Sequence, residues 1–355
     1  MARILLGILP TPIHGTIRQA LSRYHTMFFR GILLRIAIAL PILTIVATAH
    51  AAEPKMKVIL LGTAGPEYFP DRLGISTLIE ANGEKLLFDV GRGTNQRLYQ
   101  SLVNPKDISR IFLTHLHSDH IEGLPDLWMT PWFLLGRDHG LELWGPDGTA
   151  QMVDGMRAMF GHDLAARVNQ FNPIVTLAIQ THVVGDGVVF DNNGVKVTAF
   201  TVEHADGNPA FGYKIESNGH AVVLSGDTTL SENVIKQGAG ADLIVHNVIA
   251  FSERLSAMPE MKGVLAKLTT PEQAAEVFKR AKPKLAVYSH IVTKELQGKA
   301  GEDEIITRTR AAGYAGPLLM GLDRMSFEIA DEVTTLAPPS LDRLPNLDSK
   351  GQIFP

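Results

Sequence analysis

An α/β domain with two β-sheets and helices outside them is the fold this sequence predicts. Short apolar runs of strand length are joined at Asn-Gly pairs, helical periodicity is confined to a few stretches, chiefly after Thr270, and several apolar runs lead straight into a histidine or an aspartate. Periodicity by itself leaves other α/β arrangements open.

Taken in chain order, the first 51 residues stand apart, with five arginines (Arg3, Arg18, Arg23, Arg30, Arg35) and no acid. From Met27 the chain reads MFFRGILLRIAIALPILTIVATAHAAEP: a basic segment, an apolar stretch of roughly a dozen residues, then small residues at Ala49 and Ala51. Residues 1–51 are therefore expected to be a signal peptide cleaved after Ala51, with Met27 as an alternative start and a periplasmic or secreted product. A membrane anchor is the other reading. The apolar run falls short of the ~20 residues that span a bilayer and contains Pro41, so no stable membrane insertion is expected after processing.

Without the leader, 33 less 5 leaves 28 basic against 37 acidic residues. An acidic body attracts nucleic acid poorly, because non-specific affinity comes from Lys and Arg displacing counterions. The chain has no cysteine, which excludes disulfides and thiolate metal ligands.

One domain is expected over 55–330. MKVILLGTAG reads as a first strand ending in a glycine turn, and STLIEANGEKLLFDVG as two strands about Asn82-Gly83. ISRIFLTH is a buried strand that delivers His115 to a loop. VKVTAFTV alternates, FGYKIESNGHAVVLSGD gives two strands joined at Asn218-Gly219, and ADLIVHNV is another buried run. Thr270 and Gln273 form a capping pair around Pro271, ahead of a helix with Ala274, Val277, Phe278 and Ala281 on one face. KLAVYSHI is a strand ending in a histidine, followed by a helix near EDEIITRTRAA and a last strand near MSFEI. The tail, 331–355, with Pro338 and Pro339, is expected to be irregular and peripheral.

The chemistry concentrates in Thr114-His115-Leu116-His117-Ser118-Asp119-His120. In extended chain alternate side chains share a face, so His115 and His117 can reach one metal, while the following turn can send Asp119 and His120 to a second. Imidazole nitrogen and carboxylate oxygen suit zinc. Three more ligand-type residues stand at strand ends: His204, Asp227 and His290.

LLGTAGP, FDVGRGT, FLTHLHSDHIEGLPDL, VEHADGNPAFGY, LSGDT and YSHI, in this order, resemble the metallo-β-lactamase superfamily, most of all its ribonuclease Z and bacterial arylsulfatase-like branch. The resemblance implies a four-layer αββα sandwich with two zinc ions, Mn2+ or Fe2+ being possible substitutes. It implies one ion held by His115, His117 and His204, a second by Asp119, His120 and His290, and Asp227 bridging them. A hydroxide between the metals would be the nucleophile, oriented by Asp119, and Asp89 would brace the metal loop. His246 stands where ribonuclease Z relatives carry His-Glu-Ala-Thr, with Asn247 replacing the glutamate. It is a candidate substrate contact or support for the metal site, against a structural histidine. Trp128, Trp132 and Phe133 read as core or as a wall for an aromatic substrate. His139, His162, His182 and His220 read as surface or loop residues.

Three departures bear on function. The bridging aspartate and the lack of cysteine argue against a β-lactamase. Ribonuclease Z typically carries a long tRNA-binding arm between the positions of His204 and Asp227, where this chain has 22 residues. A His-Ser-Thr segment of those relatives, whose histidine is thought to protonate the leaving group, falls here on Leu268-Thr269-Thr270. The expected function is an exported dinuclear zinc hydrolase of small sulfate or phosphate esters, arylsulfatase-like. The alternatives are a ribonuclease Z-like phosphodiesterase, a lactonase or thioester hydrolase, and a non-catalytic metal-binding module. A small ester is the expected partner, and nucleic acid is not.

Overall fold

The computed structural model describes residues 55–296 and 298–343. The expected leader, its cleavage point after Ala51 and the start at Met27 lie outside the described residues. Among the described residues, no helix is long and apolar enough to cross a membrane.

The described strands form two sheets. The first holds β1 (Met56–Gly62), β2 (Ser76–Ala81), β3 (Glu84–Phe88), β4 (Arg110–Phe112), β5 (Leu141–Gly145) and β6 (Ile179–Val183) side by side, with β14 (Ser326–Ile329) and then β15 (Val333–Leu336) on the far side of β1. The second holds β7 (Gly187–Asn192), β8 (Val195–Val202), β9 (Ala210–Ser217), β10 (His220–Leu224), β11 (Leu243–Phe251), β12 (Leu285–Lys294) and β13 (Leu318–Met320) in sequence order.

Both expected Asn-Gly hairpins are present. Asn82 and Gly83 have φ of 46° and 82°, and Asn218 and Gly219 have 52° and 83°, the left-handed pair that a two-residue hairpin needs. Asn193-Gly194 (51° and 72°) joins β7 to β8 in the same way, a hairpin the sequence reading passed over. β11 is parallel to both neighbours and buried along its whole length, as its near-continuous apolar run requires.

Side chains from the facing sheets, including Leu60, Phe88, Tyr213, Val222, Val245 and Val287, make the central core. Helices Leu124–Leu135 and Thr149–Met159 cover the outer face of the first sheet, and Pro271–Ala281 and Gly298–Ala311 that of the second. The result is the expected αββα sandwich.

One open reading is settled and two expectations need correction. Trp128 and Trp132 are each 1% exposed and belong to the core under the first sheet, so they form no substrate wall; Phe133 lies half-buried under the Arg167 guanidinium. The strand carrying His290 does not end there. A bulge pairs Tyr288 with His246 and Ile291 with Val248, and the ladder then continues to Lys294. In the tail, β15 pairs antiparallel with β14; it is peripheral but not irregular, because Val333 packs on the central core.

Candidate metal centre

All seven expected ligand residues meet at one end of the sandwich. β4 runs into the loop that presents His115 and His117, and the short helix Ser118–Ile121 carries Asp119 and His120. From the second sheet, β8 leads to His204, β10 to Asp227, and the bulge in β12 gives His290 a φ of 45° that turns it out of the strand. Gly226, at φ 60°, makes the turn before Asp227; a Cβ there would lie 2.5 Å from the Phe211 carbonyl oxygen.

Two donor sets result, with Asp227 reaching toward both. His117 Nδ1 lies 3.0 Å from His115 Nε2 and 3.1 Å from His204 Nε2. His290 Nε2 lies 3.1 Å from Asp119 Oδ2, and His120 Nε2 is 3.7 Å from the same oxygen. Asp227 Oδ2 stands 3.2 Å from His290, 3.5 Å from His120 and 3.8 Å from His204. The groups His115/His117/His204, His115/His120/Asp227 and Asp119/His120/His290 each have the compactness of a metal site.

The donor chemistry fits metal ions. His204 Nδ1 donates to the Lys267 carbonyl oxygen at 2.9 Å, which leaves its Nε2 a bare lone pair facing His117. His117 Nδ1 can offer at most one proton to two neighbouring ring nitrogens, so lone pairs confront one another unless a cation lies between them. Four-coordinate zinc with bonds of ~2.0–2.1 Å sets its ligand atoms about 3.3 Å apart, close to the spacing seen. His120 is aimed the same way: Nδ1 is 2.9 Å from Asp89 Oδ2, so Nε2 faces the cluster.

Charge is strongly coupled here. Burial opposes the charged form of Asp227, yet His290 and His120 outweigh it and hold this carboxyl well below its usual range. Burial likewise opposes protonation of His120, but Asp89 and Asp227 raise it well above its ordinary value. His115 is lowered, first by burial and then by His120.

Asp89 braces the loop as expected, accepting from the Thr114 backbone N–H at 2.8 Å as well as meeting His120. His246 does not reach the open cleft. It is fully buried in β11, edge-on to Phe278, with its pKa pushed down to about 4 by burial. Asn247 bridges to the Asp227 loop, donating to the Thr228 carbonyl oxygen and accepting from Ser225. His139, His162, His182 and His220 stay outside the cluster, although His162 lies in the helix Gly161–Arg167 and His182 and His220 in β6 and β10 rather than in loops. Sequence reasoning missed the Lys267 carbonyl, which no side-chain pattern can reveal. It also missed Thr114, whose hydroxyl lies 3.0 Å from His115 Nδ1 and whose place just before the first histidine was the available signal.

The beta-lactamase superfamily domain family matches residues 85–291. Ribonuclease Z of Mycobacterium bovis (strain BCG / Pasteur 1173P2) is 33% identical over 279 residues, covering 77% of this chain and 98% of that protein. Human tRNase Z, short form, superposes with a TM-score of 0.56 at 23% identity, over 80% of this chain and 100% of that one. The Bacillus subtilis metallo-beta-lactamase fold protein YhfI does so with 0.59 at 17%, over 77% and 99%; these two likenesses bear on the fold alone.

Sandwich, donor sets and family match together make this chain a metal-dependent hydrolase of the metallo-β-lactamase superfamily. Within that superfamily it belongs to the ribonuclease Z branch.

Proposed function

We propose that the chain is a phosphodiesterase working through two zinc ions, one held by His115, His117 and His204, the other by Asp119, His120 and His290, with Asp227 shared. The observation that carries this is the single oxygen Asp227 Oδ2, lying within 3.8 Å of ring nitrogens from both sets. Two cations so placed supply Lewis acidity to phosphoryl oxygens and lower the proton affinity of a water. Asp119, on the short helix beside them, is the carboxylate placed to orient that water and take its proton. The ribonuclease Z relatives favour a phosphodiester over the sulfate ester that the arylsulfatase resemblance suggested. The second ion set, the bridging role and zinc itself are part of this proposal, as is export to the periplasm or beyond.

The test is a panel of substrates on purified zinc-loaded protein: bis(p-nitrophenyl) phosphate, p-nitrophenyl phosphate, p-nitrophenyl sulfate, p-nitrophenyl acetate, a lactone and a short RNA with a 3′ extension. Highest kcat/KM on a diester, small or RNA, supports the reading. Preference for sulfate, acetate or lactone overturns it.

A further inference from the structure

Beside the ligand residues His120, Asp227 and His290 lies a small cavity of about 30 Å³, bordered also by His246 and Ser289 together with Phe88 and Val245. Five of its bordering side chains have a buried polar atom without a hydrogen-bond partner in the protein: His120 Nε2, which faces the ligand cluster, and four others, Asp227 Oδ1, His246 Nε2, Ser289 Oγ and His290 Nδ1. We propose that this cavity binds one ordered water, through which His246 and Ser289 act as positioning residues for the ligands His290 and Asp227. The proposal rests on the metal centre described above.

The proton pattern is what makes the four atoms complementary. His246 Nδ1 lies 2.9 Å from the Asn247 carbonyl oxygen, which can only accept, so the proton is on Nδ1 and Nε2 is a bare acceptor. His290 points Nε2 at Asp119 and Asp227. As a metal ligand through Nε2 it carries its proton on Nδ1, which makes that atom a donor. Asp227 uses Oδ2 toward the histidines and leaves Oδ1 as a second acceptor. The Ser289 hydroxyl can serve either way. A water that accepts from His290 and Ser289 and donates to His246 and Asp227 satisfies all four.

Size agrees with this. A water needs about 10–15 Å³ of such space and two to four polar partners, whereas an apolar cavity stays dry. The consequence for function lies in the hydrogen bond made by a ligating imidazole on its far side, which fixes the ring and raises its basicity. His290 lacks a protein partner for that bond, and the water with His246 behind it supplies one.

Zinc retention separates the possibilities. Wild type, His246→Leu, His246→Gln and Ser289→Ala would be loaded with zinc and titrated with a chelator, with the unfolding temperature of each metal-free protein measured alongside. His246→Leu should hold one of two zinc ions roughly 10- to 100-fold more weakly. His246→Gln, whose carboxamide oxygen restores an acceptor, should recover most of that loss. Ser289→Ala, the variant least able to disturb the fold, should show a smaller weakening. A high-resolution crystal structure of the wild type should show a water within hydrogen-bond reach of His246 Nε2 and His290 Nδ1. Unchanged zinc affinity in both His246→Leu and Ser289→Ala, or a wild-type cavity with no water in it, overturns the proposal and leaves the metal centre standing. A wild type that binds no zinc overturns both.

Discussion

Asp227 and His204 differ in what their loss should do. Asp227 Oδ2 approaches His120, His204 and His290, so in the proposed site Asp227→Ala would remove a donor common to both ions, whereas His204→Ala would remove one of four donors to a single ion. Wild type is expected to hold about two zinc ions per chain, Asp227→Ala to lose activity completely, and His204→Ala to keep a residue of it. Metal analysis beside rate measurements checks this, and an active wild type with one tightly bound metal, together with an active Asp227→Ala, contradicts it. Leu268 carries a second expectation. It is buried against Ile249, Phe251 and Val292, and the hydroxyls that follow it are engaged, Thr269 with the Thr228 carbonyl oxygen and Thr270 as a helix cap. This segment offers no proton donor, and general acid catalysis is worth ~100- to 10,000-fold. Across aryl phosphodiesters of graded phenol pKa, kcat/KM should fall steeply as the pKa rises; a shallow slope would reveal a donor elsewhere. The ligands were legible because types and spacing suffice: alternation places His115 with His117, and a tight turn presents Asp119 and His120. What supports them was less so, since the partner of His204 is a backbone carbonyl 63 residues away and His246 reveals its burial only once β11 is placed at the centre of a sheet.

Elements were readable where local rules act alone. Asn-Gly pairs mark two-residue hairpins, and the Thr270/Gln273 capping box forms with both reciprocal hydrogen bonds as its sequence announces. The bulge at His290 was not readable, because it arises from pairing with β11, where Tyr288 meets His246 and Ile291 meets Val248, more than three dozen residues earlier in the chain. The short turn Ala205–Gly207 has a comparable dependence on its surroundings. A Cβ on Gly207 would lie 2.1 Å from His204 Cδ2 and 3.0 Å from His115 Cδ2, so Gly207→Ala must displace two rings of one donor set. That variant should keep a native circular dichroism spectrum while losing the His115/His117/His204 ion to chelator at least tenfold more readily. Retention of both ions with wild-type affinity would show that the turn yields without moving the histidines.

At the scale of the whole chain, the proposed export predicts a mature protein that begins at Ala52, from the short apolar segment and the Ala49-His50-Ala51 site. Amino-terminal sequencing of protein recovered from its native host should find Ala52; an intact Met1 or Met27 on membrane-bound protein would reject export. The provenance of the seven ligands has a consequence beyond chemistry. His115, His117, Asp119 and His120 follow a strand of one sheet, while His204, Asp227 and His290 belong to the other, so each of the proposed ions would take donors from both halves of the sandwich and act as a rivet across it. A ligand bound only by the folded state adds RT ln(1 + [L]/Kd), about 4 kcal/mol at a thousandfold excess over Kd. Chelation should therefore lower the melting temperature by several degrees and open the protein to proteolysis, with re-addition of zinc restoring both. The scarcity of metal in its surroundings would then set how long this protein lasts as well as how fast it works.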